Sequence, residues 1–304
     1  MGRHHVNHEI GLIAAPCDAG ANRSGASLGP QALRTAGLVN TLERGGMRVH
    51  DLGDLAVADI ETSPATPGYH HLPLIEHWAH AVHDAVLGEL ARQRLPVLLG
   101  GDHSLAIGSL SAVARHCRAT GQALRVLWLD AHADCNTLAT SPSGNLHGMP
   151  LACLLGRGPE TLTTLAGPAP ALDPGALRLF GVRSIDPDEQ RMVRELALEV
   201  FDMHRIRAAG LRQSMAQALA GLDERSHLHV SFDVDALDPF VAPGVSVPEP
   251  DGLSRDEMHQ CMAMIAATGR LGSLDVMEFN PLREYRHTAS AVLDLLATLL
   301  RPSS

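Results

Sequence analysis

The chain has 304 residues, of which 45% are hydrophobic and 19% charged, and its formal net charge is −10. This composition is that of a globular protein with a large apolar core and argues against intrinsic disorder. The negative charge and the dispersed Lys and Arg residues disfavour a nucleic-acid or anionic-membrane partner. No linker or repeat divides the sequence, so we expect one domain over residues 1–304.

The sequence also bears on the cellular compartment. No apolar run reaches the roughly 18 residues of a membrane-spanning helix, and the segment Met1–Glu9 lacks the apolar stretch of a signal peptide. The five cysteines are scattered and form no C-x-x-C pair, which argues against a disulfide framework and a thiolate zinc site. We therefore expect a cytoplasmic protein.

Short apolar runs rich in Val, Leu and Ile alternate along the chain with stretches of helical periodicity. This alternation is typical of an α/β fold with a mostly parallel sheet and crossover helices. The predicted strands lie near residues 10–15, 48–53, 95–99, 124–130, 177–182, 199–202, 227–234 and 271–277. The predicted helices lie around residues 30–44, 72–93, 104–119, 148–156, 187–196, 206–221, 254–268 and 287–300. Two long connections, 54–69 and 134–146, are candidates for functional loops.

Four of the predicted strands end directly in chemically reactive residues. They run into Gly100–His103, Asp130–Asp134, Asp233–Asp235 and Glu278. In parallel α/β sheets, ligands bind outside the carboxyl ends of the strands, where residues that are far apart in sequence meet. The sequence therefore predicts one functional cluster at this edge of the sheet.

The donors in this cluster suit metal ions. Within Asp130–Asp134 and Asp233–Asp235 the polar residues recur at a spacing of two, so extended backbone would place each set on one face. Together with the histidine that follows the third strand, they make a set that is too large for one catalytic ion with an open position. The six potential ligands are His103, Asp130, His132, Asp134, Asp233 and Asp235.

Two ions solve the electrostatic problem that these residues create. So many carboxylates in one crevice would repel one another unless cations neutralised them. Two ions about 3.5–4 Å apart can share bridging carboxylates, and a water between them would lose a proton near neutral pH. The absence of a thiolate favours Mn²⁺, with iron, cobalt or nickel as alternatives. The sequence therefore predicts a hydrolytic site.

Other interpretations stay open for individual residues. A single D-x-D or D-x-H is common in turns and helix caps, and only the coincidence of several such motifs after buried strands favours metal binding. Asp102 could cap the next helix or support a ligand, and we favour the cap. Six other histidines are expected to lie in a flexible terminus (His4, His5 and His8) or on an exposed helix face (His77, His80 and His83).

The same motifs resemble those of the ureohydrolases, the family of arginases and agmatinases. They read G-G-D-H-S at Gly100–Ser104, D-A-H-A-D at Asp130–Asp134 and S-F-D-V-D-A-L-D-P at Ser231–Pro239. The likeness extends from Gly25–Arg34 to Met277–Pro281. It implies a three-layer α/β/α sandwich with a mostly parallel sheet of about eight strands. It also implies a homotrimer or homohexamer.

The resemblance implies two Mn²⁺ ions per subunit, held by the six residues named above. One ion would be bound by His103, Asp130, Asp134 and Asp233. The other would be bound by His132, Asp130, Asp233 and Asp235. Asp130 and Asp233 would therefore bridge the two ions.

The loop Asn136–Pro150 bears on the substrate. From Ser143 it reads S-G-N-L-H-G-M-P, which resembles the S-G-N-x-H-G-x-P segment of arginases more than the shorter agmatinase loop. The resemblance thus implies hydrolysis of L-arginine to L-ornithine and urea. Asn136 and Ser143 would donate to the α-carboxylate that agmatine lacks. Ordinary turn chemistry is the alternative for both residues.

Further roles follow from the resemblance. Asp186 would receive the α-amino group and Glu189 would do so through water, although acidic residues here could also simply begin a helix. Glu278 would bind the guanidinium group, because a carboxylate can accept two parallel hydrogen bonds from a planar cation. His147 would pass a proton to the departing amine. Asp134 would accept a hydrogen bond from the nucleophile.

One position departs from the arginase pattern. Arginases carry a threonine in a G-T-P step that lines the guanidinium pocket, whereas this chain has Val247 in Ser246–Pro248. Hydrolysis of agmatine or 4-guanidinobutyrate is therefore an alternative. A single-zinc amidohydrolase of the histone-deacetylase type is disfavoured by the six clustered ligands. A non-catalytic arginine sensor is disfavoured because every ligand position is filled.

Overall fold

An eight-stranded, all-parallel sheet forms the centre of the structure, which is a computed structural model that describes residues 9–57 and 68–301. The strands are β1 Glu9–Ala15, β2 Arg48–Asp54, β3 Leu95–Gly100, β4 Ala123–Leu129, β5 Leu177–Phe180, β6 Glu199–Phe201, β7 Ser226–Asp233 and β8 Leu271–Met277. Their order across the sheet is β2-β1-β3-β8-β7-β4-β5-β6. All eight predicted strands are confirmed, with ends within two residues of the predicted ends.

The helices of the described ranges follow the predicted pattern with three differences. They are α1 Gly29–Thr35, α2 Leu38–Arg44, α3 Leu72–Ala91, α4 Ala106–Thr120, α5 Pro150–Leu154, α6 Glu160–Thr163, α7 Pro187–Glu195, α8 Met203–Ala209, α9 Leu211–Ala218, α10 Arg255–Ala267 and α11 Arg286–Leu299. The single helices predicted over 30–44 and 206–221 are wrong. Each is divided by a glycine with positive φ, Gly37 at 96° and Gly210 at 89°. The short helix α6 was not predicted.

The helices cover both faces of the sheet and form two apolar clusters. One cluster packs side chains such as Leu33 of α1 and Val292 of α11 against one face of the sheet. The other packs Val82 of α3 and Leu110 of α4 against the opposite face. The central strands β3 and β7 are buried along their whole length because helices cover them on both sides. The predicted three-layer α/β/α class is confirmed.

Two further predictions can be compared with the structure. The five cysteines are buried free thiols. None of the helices in the described ranges is both long and apolar enough to cross a membrane. His4, His5, His8 and most of the predicted long connection 54–69 lie outside the described residues.

Candidate metal and substrate site

The carboxyl ends of the four neighbouring strands β3, β8, β7 and β4 meet at one edge of the sheet. Close backbone contacts join the end of β3 to the chain that follows β1 and to the end of β8. A Cβ at Gly101 would lie 1.9 Å from the carbonyl oxygen of Cys17, so only glycine fits there. The N–H of Glu278 donates to the carbonyl oxygen of Gly101 at 2.8 Å. The four strand ends predicted to converge therefore lie side by side.

His103 lies at the centre of a first group of ligand atoms. Its Nδ1 atom is 3.1 Å from Asp130 Oδ2 and 3.2 Å from Asp134 Oδ2. The same nitrogen is 3.0 Å from Asp233 Oδ2. Within the described residues this buried nitrogen has no aligned hydrogen-bond partner, although three carboxylate oxygens surround it. Such an arrangement fits a cation held between the imidazole and the carboxylates.

A second group lies beside the first. His132 Nδ1 is 3.0 Å from Asp235 Oδ2 and 3.4 Å from Asp130 Oδ1. Asp130 therefore presents one oxygen to each group, as a bridging carboxylate would. Asp233 adjoins the first group through Oδ2, while its Oδ1 accepts the N–H of Asp235 at 2.8 Å. The donor atoms of each three-residue group lie within 4.8 Å of one another, in His103–Asp130–Asp134 and in Asp130–His132–Asp235.

The backbone brings these side chains together by a route that the spacing argument did not foresee. The spacing argument applied only if extended backbone continued past both strand ends, and it does not. β4 ends at Leu129, and Asp134 adopts a left-handed φ of 47°. After β7 the chain forms a 3₁₀ turn over Val234–Ala236, which carries Asp235 into the site. Turns, rather than strand alternation, therefore aim Asp134 and Asp235.

Burial and crowding shift the pKa values of the cluster. Burial and the charge of Asp130 raise the pKa of Asp134 to about 6. Burial and two neighbouring carboxylates raise the pKa of Asp233 well above its ordinary value. Burial opposes ionisation of Asp130, but the neighbouring His103 and His132 hold its pKa below the ordinary range. Burial lowers the pKa values of His103 and His132, and the carboxylates raise them more strongly. The cluster thus retains protons that metal ions would displace.

Two residues that the sequence analysis missed support these groups from behind. Ser231 Oγ hydrogen-bonds to Nε2 of His103 at 2.8 Å, and Trp128 Nε1 donates to Asp130 Oδ2 at 2.8 Å. The Trp128 indole also stacks on the His103 ring at 4.0 Å between centroids. Such contacts fix the orientation of ligands. Ser231 and Trp128 each precede a predicted ligand, Asp233 or Asp130, by two positions, so strand alternation could have identified them.

A cavity of about 370 Å³ opens beside the cluster. Four of the predicted metal ligands line it, together with all six residues predicted to bind substrate: Asn136, Ser143, His147, Asp186, Glu189 and Glu278. Val247 also lines the cavity, as the resemblance implied. Asn22 and Arg23 also line the cavity and were not predicted, since their loop carries no recognisable motif. The Arg23 guanidinium donates to the carbonyl oxygen of Ser246.

Asp186 and Glu189 begin helix α7 as well as lining the cavity. Asp186 Oδ1 accepts the N–H groups of Asp188 and Glu189 at 3.1 and 3.0 Å. Glu189 accepts the N–H of Asp186 and that of Cys135, which completes a capping box. Asp186 Oδ2 accepts a hydrogen bond from Asn136 Nδ2 at 3.0 Å. The interpretation that these acids begin a helix is therefore confirmed for both Asp186 and Glu189. The same two side chains also line the cavity.

The loop Asn136–Pro150 also shows the turn chemistry considered as an alternative. Ser143 Oγ accepts the N–H of Asn145 at 3.2 Å, and Gly144 has a φ of 73°. The N–H of His147 donates to the carbonyl oxygen of Gly20 at 3.0 Å, so this loop is tied to the segment just before Asn22 and Arg23. These contacts hold the hydroxyl and the imidazole at the cavity.

Glu278 presents a buried carboxylate to the cavity. Its backbone φ of 64° is unusual for a residue with a side chain. Oε1 accepts the N–H of His103 at 3.0 Å and lies 3.3 Å from His147 Nδ1. Oε2 is buried and has no hydrogen-bond partner among the described residues. Burial opposes ionisation, but His147 and the His103 N–H hold the pKa of Glu278 below its ordinary value.

The pKa of His147 is shifted in the opposite direction. Burial lowers it, but the Glu278 carboxylate more than compensates and raises it to about 9. The contact between these two side chains therefore favours a charged imidazole next to a charged carboxylate.

Two of the secondary expectations can now be resolved. Asp102 is buried and caps the turn at His103–Leu105 by accepting the N–H of Ser104 at 2.9 Å, so the predicted cap is confirmed. His77 and His80 are exposed, but the expectation that His83 shares their face is wrong because His83 is buried. Six residues at about 100° each rotate its side chain well away from that of His77.

Comparisons with known proteins agree with this geometry. The family model described as "Arginase family" matches residues 8–301. The arginase of Bacillus caldovelox is 39% identical over 294 residues, which cover 95% of this chain and 97% of the relative. The chain belongs to the arginase family. The resemblance found in the sequence is therefore confirmed, and with it, at the level of the family, the prediction of a hydrolase that acts on guanidino groups.

Solved structures of the family share the fold. The arginase of Bacillus caldovelox superposes with a TM-score of 0.90 at 38% identity and covers 97% of this chain and 99% of its own. The arginase of Bacillus subtilis gives a TM-score of 0.87 at 36% identity over similar shares, 97% and 99%. A proclavaminate amidino hydrolase from Streptomyces clavuligerus gives 0.73 at 25% identity, with 97% and 91% covered. The likeness thus includes an enzyme named for a different substrate.

Proposed function

We propose that this protein hydrolyses L-arginine to L-ornithine and urea. The observation that carries the proposal is the pair of ligand groups that share Asp130, placed next to the unpartnered buried oxygen of Glu278. A dinuclear centre needs overlapping ligand sets, and a guanidinium group needs a planar acceptor. Overlapping ligand groups and a free carboxylate oxygen beside one cavity therefore support the proposal.

The metal centre is proposed to hold two Mn²⁺ ions in the six residues of the cluster. The oxygen and imidazole donors, without a thiolate, suit Mn²⁺. One ion would be held by His103, Asp130, Asp134 and Asp233, and the other by His132, Asp130, Asp233 and Asp235. When bound, the ions supply a water of lowered pKa as the nucleophile.

The substrate is proposed to lie along the cavity with its guanidinium group at Glu278. The α-amino group would then reach Asp186 directly and Glu189 through water. The α-carboxylate would accept hydrogen bonds from Asn136 and Ser143. These residues occupy the cavity wall together, which supports an extended amino acid as the ligand. The many polar groups fix its orientation.

The catalytic roles follow from the protons that these side chains hold. Asp134 would accept a hydrogen bond from the nucleophile while Glu278 orients the guanidinium carbon for attack. The bond between that carbon and the amine nitrogen of ornithine then breaks. His147, kept protonated by Glu278, would deliver the proton that the departing amine needs.

Hydrolysis of another guanidino compound remains the second candidate. Val247 lines the cavity where a threonine would offer a hydroxyl, and one relative by structure is named as a proclavaminate amidino hydrolase. Agmatine or 4-guanidinobutyrate would use the same metals and Glu278. For the assembly we propose a homotrimer or homohexamer, and for the location the cytoplasm.

Urea release separates these substrates. Purified protein reconstituted with Mn²⁺ would be assayed with arginine, agmatine and 4-guanidinobutyrate, and its bound metal counted by elemental analysis. We expect two ions per chain and the highest kcat/KM with arginine. Preference for agmatine or 4-guanidinobutyrate would contradict the substrate. Binding of arginine without urea release would indicate a sensor. Fewer than two ions in active protein, or full activity in Asp130→Ala, would contradict the centre.

A further inference from the structure

The two imidazoles of the cluster differ in what faces their outer nitrogens. His103 and His132 both direct Nδ1 at the carboxylates. The Nε2 of His103 meets the neutral hydroxyl of Ser231 at 2.8 Å. The Nε2 of His132 faces a carboxylate instead, with Glu249 Oε1 3.7 Å away. Glu249 was not singled out in the sequence and does not line the substrate cavity.

The backbone of Glu249 is held firmly at this place. Prolines stand on both sides of it, at Pro248 and Pro250, and each restricts the main chain. The Arg183 guanidinium donates to the carbonyl oxygens of Glu249 and Pro250 at 2.8 and 2.9 Å. It also donates to the carbonyl oxygen of Asp235 at 2.7 Å, so one side chain joins this loop to a predicted metal ligand. The two prolines and Arg183 therefore restrain the backbone that carries the Glu249 carboxylate next to His132.

We propose that Glu249 is a positioning residue for His132. Its carboxylate accepts the Nε2–H of the imidazole and so keeps Nδ1 directed at the ion of the second group. A small side-chain movement closes the present separation to the length of a charge-assisted hydrogen bond, about 2.7–2.9 Å. The inference rests on the proposed dinuclear centre. It adds a residue that makes one half of that centre dependent on the loop Ser246–Asp251.

The consequence is an asymmetry between the two ions. A carboxylate behind a ligating histidine fixes the tautomer and increases the basicity of the ligating nitrogen, and its loss typically weakens metal binding about 10–100-fold. Only the ion of His132 should depend on Glu249. The side chain of Glu249 is 30% exposed, so solvent screening places the expected effect at the lower end, about tenfold.

Metal titration of the whole chain tests this inference. Metal-free wild type, Glu249→Gln and Glu249→Ala would be titrated with Mn²⁺ while the signal of free Mn²⁺ is followed by electron paramagnetic resonance. Asp251→Asn is the matched control, because it removes the same charge from an exposed position two residues along the same loop. Asparagine also tolerates the φ of 62° at that position. Thermal unfolding of the metal-free proteins checks that each variant is folded.

We expect wild type and Asp251→Asn to bind two ions with the same affinities. In both Glu249 variants one dissociation constant should rise about tenfold and the other should stay unchanged. Unchanged binding in Glu249→Gln and Glu249→Ala would overturn the inference, and so would equal weakening of both ions or an equal effect of Asp251→Asn. A wild type that binds fewer than two ions would instead contradict the proposed centre itself.

Discussion

Replacing Glu278 by glutamine tests how the cavity recognises a guanidinium group. The amide retains an oxygen that can accept the N–H of His103, so the link between β3 and β8 is preserved. The unpartnered Oε2, however, becomes an N–H₂ group that meets the N–H groups of the substrate. A hydrogen bond between charged groups contributes about 1.5–3 kcal/mol, and the substitution removes the one that Oε2 would accept. At about 1.4 kcal/mol per factor of ten, kcat/KM for arginine should fall at least about 10–10²-fold.

The assay is steady-state urea release by wild type and Glu278→Gln, each saturated with Mn²⁺. Metal content must be counted in parallel, because Glu278 is not among the proposed ligands and both proteins should hold two ions. A decrease of less than tenfold with full metal content would refute the assignment of Glu278 to the guanidinium group. Loss of an ion from the variant would show that its carboxylate serves the metal centre instead.

Other predictions concern the metals, the pH dependence of stability, the α-amino contact at Asp186 and Val247, the residue that differs from the arginase pattern. Chelation of the ions should abolish urea release. Burial raises the pKa of Asp134 from 3.8 to about 6, and Glu278, against burial, raises that of His147 from 6.5 to about 9. Between each pair of pKa values, the folded metal-free protein holds a proton that the unfolded chain releases. The free energy of unfolding should therefore fall as pH rises from 3.8 to about 6 and from 6.5 to about 9. Calorimetry should show a weaker dependence of unfolding on pH when Mn²⁺ is bound. Asp186→Asn keeps a good helix cap but loses the charge, so KM should rise about tenfold or more for arginine and agmatine and stay constant for 4-guanidinobutyrate, which lacks the amine. Val247→Thr should lower KM for arginine about two- to tenfold in the urea assay, the equivalent of one neutral hydrogen bond, and an unchanged KM would show that Val247 does not limit affinity.

Most of the fold could be predicted from the sequence because the periodicity of apolar residues is strong in a sheet covered on both faces. The strands β3 and β7 are continuous apolar runs, and each leads into a recognisable motif. The helix breaks at Gly37 and Gly210 were missed because a single glycine is often tolerated inside a helix. The face of His83 was missed because the spacing of three residues drifts around a longer helix.

In the candidate site, too, some features could be predicted from the sequence and others could not. Parallel strands end at one edge of a sheet, so the sequence could predict that these four strand ends share an edge. That β3, β8, β7 and β4 are direct neighbours follows from the sheet order. The left-handed backbone of Asp134 and the turn that aims Asp235 depend on neighbouring loops, and no local pattern indicated them. Trp128 and Ser231 could have been predicted, because each lies two positions before a predicted ligand in the same predicted strand. Glu249 could not have been predicted, since only the folding of a separate loop brings it near His132.

The sequence by itself determined the class of fold and the six candidate ligands, because residue type and position along a strand specify which edge a side chain reaches. The cavity residues of the loop Asn136–Pro150 came from the resemblance to the arginase segment. Only the tertiary structure decided how oxygens and nitrogens are shared. It assigned one oxygen of Asp130 to each imidazole, left Oε2 of Glu278 without a partner and brought Glu249 behind His132. These are distances between segments far apart in the chain, and they are set by packing rather than by local preference.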